Sequence, residues 1–401
     1  MEFFNFLQKF IEASLIIFNS FNFFIFLIIV VIFFNIFLYF LRDRKYIRVF
    51  KKFKDPEIVK LEDLKELPLV NIIIPAWKEG KLFKECLVSI SNLNYPNIKV
   101  IVNAGGNDET IKIANSFKKY KNFLILEQKQ GGKIKAINEC MKYINEGIVY
   151  SIDADVFLTD EILLRLIYPI INKNEFVSCG GVRPLQFQQN KSIVKYILLN
   201  RIYYFRNKFS RYGRPQISGP NTCLKYDVIR TIEKFSEENL YLQSDRFRGP
   251  LILSKGYKIY WLNHYNSSIY TFFPDTLKTY FKQEIRWRKS LLFDPWEKHK
   301  KMTIFKFVLL IIYSFIIVSI PVFLILNYFL FASIGLILFL NKYLIKIRRY
   351  IFLKITMNKT VNQKFDLLFF MKLLLYIYLD AILTLYLVPA SLRSYFKMKK
   401  L

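Results

Sequence analysis

The chain has 401 residues, 53% of them hydrophobic and 18% aromatic, with 41 Phe, which excludes an ordinary soluble protein and fits a chain partly dissolved in lipid. The formal net charge is +29, but much of the Lys and Arg stands beside apolar runs. That is the pattern of cytoplasmic membrane flanks, and no nucleic-acid partner is expected. The four cysteines (Cys86, Cys140, Cys179, Cys223) form no Cys-x-x-Cys pair and only two histidines exist, His264 and His299. These exclude a zinc site and fit small apolar fillers in a reducing compartment.

Residues 1–20 are apolar but carry Lys9 and Glu12, and read as an interfacial helix, with a second span as the alternative. Residues 21–41 form an unbroken apolar run long enough to cross the hydrocarbon core. Arg42, Arg44, Lys45, Arg48, Lys51, Lys52 and Lys54 follow at once. The positive-inside rule places this basic linker, residues 42–67, and the domain after it on the cytoplasmic side.

Residues 68–300 read as an α/β domain. Leu69–Ile74, Lys99–Val102 and Ile148–Ile152 are short β-rich runs, separated by helical patterns at Leu82–Ile90, Glu109–Lys119 and Lys133–Ile144. This alternation predicts a Rossmann-like, mostly parallel sheet with helices on its faces, and ligands beyond the carboxyl ends of its strands. After it, residues 305–347 predict a transmembrane hairpin, 348–366 a basic cytoplasmic or interfacial segment, and 367–392 a further transmembrane helix. Lys372 and Asp380 lie inside that last span, about two turns apart. They face protein or a water-filled path, or Lys372 snorkels at the helix start. The expected location is the cell membrane, with several spans and the α/β domain cytoplasmic.

Several residues at the predicted strand ends could do chemistry. Asp153 and Asp155 follow a hydrophobic strand and can hold Mg2+ or Mn2+, which neutralises a diphosphate. Glu79 and Asp108 follow the first two strands and could meet a nucleoside. Gly131-Gly132-Lys133 opens a helix, where backbone amides plus a Lys suit a phosphate, although the full P-loop pattern is missing. Gln283, Arg286 and Trp287 are spaced i, i+3, i+4 and share one helix face. An amide, a fixed cation and a flat ring there can hold a sugar beside a diphosphate. Asp245 is a candidate base for an attacking hydroxyl, or else pairs with Arg246 or caps a helix over Phe247–Leu253.

Together these elements resemble the processive membrane glycosyltransferases of family 2, the group of hyaluronan, chitin and cellulose synthases. Pro75-Ala76-Trp77-Lys78-Glu79 is similar to the opening Pro-Ala-aromatic-Asn-Glu motif, with Lys78 where Asn is usual. Asp153-Ala154-Asp155 is similar to the metal motif. Ile217-Ser218-Gly219-Pro220 and Ser244-Asp245-Arg246 resemble acceptor-side segments of hyaluronan synthases, and Thr271–Trp287 resembles the stretch running into Gln-x-x-Arg-Trp.

The resemblance implies a GT-A fold and an inverting, metal-assisted transfer from a nucleotide sugar to a growing polysaccharide, coupled to its translocation. Asp153 and Asp155 would hold the metal and Asp245 would be the base. Glu79, Asp108, Lys133 and Asp153 would bind the donor. Ser218, Gly219, Pro220, Arg246, Gln283, Arg286 and Trp287 would border the acceptor and the pyrophosphate. The usual Asp-Asp-Gly-Ser reads Asn103-Ala104-Gly105-Gly106 here, which leaves the expected UDP open. No Trp-Gly-Thr or Phe-x-Val-Thr motif follows Trp287. Two alternatives stand beside this expectation: a non-processive transferase acting on a lipid-linked acceptor, and a transporter or scaffold built on an inactive transferase domain.

Overall fold

The computed structural model describes residues 22–52, 59–201, 217–232, 244–262, 265–291, 297–357 and 366–398. The expected interfacial helix of residues 1–20 lies outside the described residues. The chain divides into two compact units. One comprises residues 46–295 and 353–364; the other comprises 1–45, 296–352 and 365–401. Helix α1 (Asn22–Asp43) belongs to the second unit, and α2 (Arg44–Lys52) follows it directly.

The first unit is the α/β domain. Its elements run β1 (Val70–Trp77), α3 (Lys81–Ser91), β2 (Ile98–Gly105), α4 (Asp108–Asn115), β3 (Phe123–Gln128), α5 (Lys133–Met141), β4 (Ile148–Ser151), β5 (Val156–Phe157) and α6 (Asp160–Asn172). They continue with β6 (Val177–Cys179), β7 (Val182–Pro184), α7 (Ser192–Arg201), β8 (Thr222–Lys225), α8 (Tyr226–Ile232), α9 (Ser244–Ser254), β9 (Ile259–Trp261), β10 (Ile269–Thr271) and α10 (Leu277–Leu291). Seven strands form one sheet in the order β3-β2-β1-β4-β8-β6-β9. β1, β2, β3 and β4 are parallel, and β8 runs antiparallel between β4 and β6.

The central strand β1 is apolar at successive positions because both of its faces are covered. Ile72 and Ile74 pack on one side with Phe83, Leu87, Tyr150 and Ile162, and Ile73 packs on the other with Ile101, Ile137 and Val149. Strand β3 and the small sheet β5-β10-β7 are elements that the sequence reading above does not include. Asn221 stitches the two sheets together. Its Nδ2 donates to Gly181 O at 2.6 Å and Ser267 O at 2.8 Å, and its Oδ1 accepts from the Tyr150 hydroxyl at 2.8 Å.

The second unit is helical. Beside α1 it holds α11 (Glu297–Val318), α12 (Ile320–Ile325), most of α13 (Phe329–Met357) and α14 (Leu367–Met398). Asn22–Asp43, Phe329–Ile355 and Leu367–Tyr386 are long and apolar enough to cross a membrane. Between α12 and α13, Asn327 sits at φ 60°. Tyr328 N donates to Phe323 O at 2.8 Å and Asn327 N to Leu324 O at 3.2 Å, the bond pair that closes a helix on a left-handed residue. A tight turn therefore falls inside the apolar stretch. The second arm is longer than the sequence boundary of 347, because Arg348, Arg349 and Lys354 continue the same helix rather than start a separate segment.

A buried polar chain joins α1 to α13. Asn35 Nδ2 donates to Asn341 Oδ1 at 3.0 Å. Arg348 donates from Nη1 to Asn35 Oδ1 at 3.2 Å and from Nε to Asp43 Oδ2 at 2.8 Å. Contacts thus advance along both helices together, Asn35 to Asn341 and Asp43 to Arg348, so α1 and α13 run parallel. Asp43 is 0% exposed and Arg348 is 5% exposed, and breaking such a pair leaves a bare charge in a dry place. We expect Asp43→Ala to destabilise the helical unit by about 3 kcal/mol or more, and the double replacement Asp43→Leu, Arg348→Met to cost much less. Unfolding of the detergent-solubilised protein checks both.

Candidate active site

The parallel registers place the site. β1 pairs with β2 through Trp77 opposite Gly105, and with β4 through Ile73 opposite Ser151. The loops after β1, β2 and β4 therefore leave the sheet at one edge. β8 starts at that edge, since Thr222 lies opposite Ser151. Glu79, Asp153, Asp155 and the segment Ser218-Gly219-Pro220 accordingly share it.

Among the described residues, three carboxylates gather there against two cations. Lys133, the first residue of α5, forms an ion pair with Asp153. Burial pushes the Asp155 carboxyl up to about 6, with Asp153 and Glu79 adding repulsion and Lys133 opposing them. Burial also raises Glu79, followed by repulsion from Asp153, and Arg286 counters it. Arg286 is thus the charge that brings α10 into electrostatic reach of the cluster. Beneath it the buried Cys86 thiol lies 3.8 Å from Asp153 O, and burial holds that thiol in its protonated form.

The loop after β1 is shaped by two local features. Lys78 has φ 58°, a left-handed backbone that Asn tolerates better than Lys does. This is a physical reason for Asn at that place in the resembling motif. Trp77 lies flat against backbone: a Cβ on Gly106 would come within 2.8 Å of its ring, and one on Gly131 within 3.2 Å. Gly106 also has φ 89°, so the close approach and the turn both require glycine. Glu79 is fixed by its backbone, whose N–H donates to the Thr110 hydroxyl at 2.7 Å.

The small sheet carries the second half of the site. β5 follows Asp155 directly and pairs with β10, Thr271 lying opposite Val156. From β10 the chain enters α10, which carries Gln283, Arg286 and Trp287. Gln188 clamps the link by accepting from Phe273 N at 3.0 Å and donating to Phe273 O at 2.7 Å. Arg201, absent from the sequence reading, donates from Nη2 to Gln283 Oε1 at 3.0 Å. Its partner is 82 positions away, and no local pattern announces such a contact.

The remaining expected residues are placed less closely. Asp108 is exposed in the first turn of α4, where its charge suits the helix start. Asp245 and Arg246 fall on the first turn of α9, and their side chains lie outside the described residues. The donor set of Asp153 and Asp155 fits a hard divalent cation, which is commonly held by one or two carboxylates plus substrate phosphates. Among the described residues no group of three or more His, Cys, Asp or Glu side chains forms an all-protein metal cage.

Residues 71–232 match glycosyl transferase family 2. An N-acetylglucosaminyltransferase of Rhizobium leguminosarum bv. phaseoli is 24% identical over 56% of this chain and 54% of its own length. A poly-beta-1,6-N-acetyl-D-glucosamine synthase of Staphylococcus epidermidis is 24% identical over 67% of this chain and 65% of its own. The chain thus spans between half and two thirds of the length of these curated relatives. Among solved structures, a mannosyltransferase from Pyrobaculum calidifontis in complex with GDP-Man and Mn2+ superposes with a TM-score of 0.53 at 16% identity. The match covers 92% of this chain and 98% of that one, and it is a likeness of fold. The mostly parallel mixed sheet is GT-A-like, and residues 71–232 within it match glycosyl transferase family 2. These relatives support the family as a whole, not its hyaluronan, chitin or cellulose branch in particular.

The raised Asp155 carboxyl has a stability consequence. Folding favours its protonated form, so in metal-free protein stability falls as pH rises from about 3.8 to about 6. We expect Asp155→Asn to remove that slope and to raise stability at neutral pH by about 3 kcal/mol. Added Mn2+ should raise the melting temperature of the wild type and not that of the variant. Thermal unfolding across pH, with and without chelator, measures both effects.

Proposed function

We propose that the chain is a membrane-bound glycosyltransferase that moves a sugar from a nucleotide sugar to a growing polysaccharide by inverting single displacement. The observation that carries this reading is the cluster of Glu79, Asp153 and Asp155 with Lys133 and Arg286, at the sheet edge that also leads into Gln283 and Trp287. Such a charge pattern suits a diphosphate leaving group next to a sugar.

Asp153 and Asp155 are the residues that would hold Mg2+ or Mn2+, which when bound stabilises negative charge on the leaving diphosphate. Lys133, at the start of α5, reaches the phosphates together with the backbone amides of that helix start. Glu79 and Asp108 lie on the donor side. Asp245 takes the proton of the attacking hydroxyl. Arg246, Ser218, Gly219 and Pro220 border the acceptor, and Trp287 stacks under its terminal sugar with Gln283 and Arg286 beside it. Fixed charges aimed at the departing diphosphate supply the largest catalytic contribution.

The printed names of the relatives make a nucleotide-linked N-acetylglucosamine the first donor to test. The parallel course of α1 and α13 puts the basic flank after α1 and the Arg348, Arg349 and Lys354 end of α13 on one side. By the positive-inside rule that side is cytoplasmic, in keeping with a cytoplasmic site and a product carried through the helices.

The test is nucleotide release by the detergent-purified protein with Mn2+ across a panel of nucleotide sugars, with product sizing. We expect release with one donor, long products, and a loss of about 10²-fold or more in Asp245→Asn. Short products formed only with added lipid acceptor would replace polymerisation by single addition. No release by the wild type above background with any donor and acceptor would overturn the transferase reading, and equal release by Asp245→Asn would remove Asp245 as the base.

A further inference from the structure

Helices α7 and α10, together with the residues just before each, are joined by contacts that advance in step. Lys191 forms an ion pair with Asp275, Tyr196 meets Tyr280 edge to face at 6.1 Å, and Arg201 meets Gln283 and Trp287. The last of these contacts falls on the helix face that carries the acceptor-side residues. The Arg201 guanidinium carbon lies 4.1 Å from the centroid of the Phe273 ring and 4.8 Å from that of Trp287. Phe273 is fully buried and locked by Gln188 at both its N–H and its C=O. The stack therefore has a rigid base, a planar cation resting on it, and the Trp287 indole against that cation. The same guanidinium donates to the Gln283 side chain.

We propose that Arg201 is a positioning residue for acceptor recognition: it sets the plane of the Trp287 ring and the direction of the Gln283 amide, so that a sugar stacks on the indole face turned away from it. This inference rests on the assignment of Trp287 to the acceptor made above. The role needs a fork-shaped, planar cation. Lysine keeps the charge but has neither the plane for stacking on both rings nor the fixed direction of its donors. Arg201 stands at the end of α7, outside the metal and diphosphate cluster, so its loss should spare the donor.

The experiment compares wild type, Arg201→Met and Arg201→Lys as full-length protein in detergent. UDP-N-acetylglucosamine serves as donor and N-acetylglucosamine oligosaccharides as acceptor. Acrylamide quenching is read for each protein with and without an added Trp287→Phe change, so that the difference isolates Trp287. We expect Trp287 to quench more strongly in both Arg201 variants. The acceptor KM should rise about tenfold, as for a lost ground-state contact, with the donor KM unchanged. An unchanged Trp287 signal overturns the proposal, whatever the rates do, and so does restoration of both readouts by Arg201→Lys. If the wild type transfers nothing while the quenching still shifts, the positioning of Trp287 stands and this donor and acceptor pair is not the enzyme's own.

Discussion

Like charges set the terms for this molecule. Glu79, Asp153 and Asp155 are drawn together at one edge of a sheet, and each is partly withdrawn from water. Repulsion alone would spread them, and burial raises the cost of keeping them charged. What holds them is the pairing of β1 with β4, buried through Ile72, Ile73, Val149 and Tyr150. A loop tethered to such a core cannot relax away from its neighbour. The strain is relieved within the site instead, by Lys133 on Asp153 and by the charge of Arg286 near Glu79. A cluster of this kind is poised for a divalent cation and a diphosphate, whose charges complete it.

The second constraint is the short sheet β5-β10-β7. It is only two or three residues deep, yet it fixes where α10 begins relative to Asp155. Asn221 ties it to the large sheet through Tyr150, and Arg183 stacks on Tyr270 across the β7–β10 pair, 3.7 Å from the ring centroid. Through these links Asp155 and the start of α10 are parts of one packed body. Small shifts at either end would cost hydrogen bonds that have no water to replace them.

Much of this was legible in the residues. The runs at β1, β2 and β4 are continuous and apolar because those strands are covered on both faces, and the i, i+3, i+4 spacing of Gln283, Arg286 and Trp287 needs only a helix to bring them together. Strand β3 went unread because Phe123–Gln128 mixes apolar residues with Glu127 and Gln128 after a lysine-rich stretch. The small sheet was hidden because strands of two or three residues have no periodicity to detect. Arg201 and Asn221 were invisible for another reason: their partners are distant in sequence, and only the folded packing selects them. The left-handed Lys78 is a case where the sequence departure was plain and its backbone cause was not.

Most depends on Asp153 and Asp155, with Lys133, forming a site for a divalent cation and a nucleoside diphosphate. Calorimetric titration of nucleoside diphosphates into the purified full-length protein, in Mn2+ and in chelator, tests it directly. We expect binding that requires Mn2+, is lost in Asp155→Ala and is weakened in Lys133→Met. Equal affinity in chelator and in Mn2+, unchanged in Asp155→Ala, would contradict it.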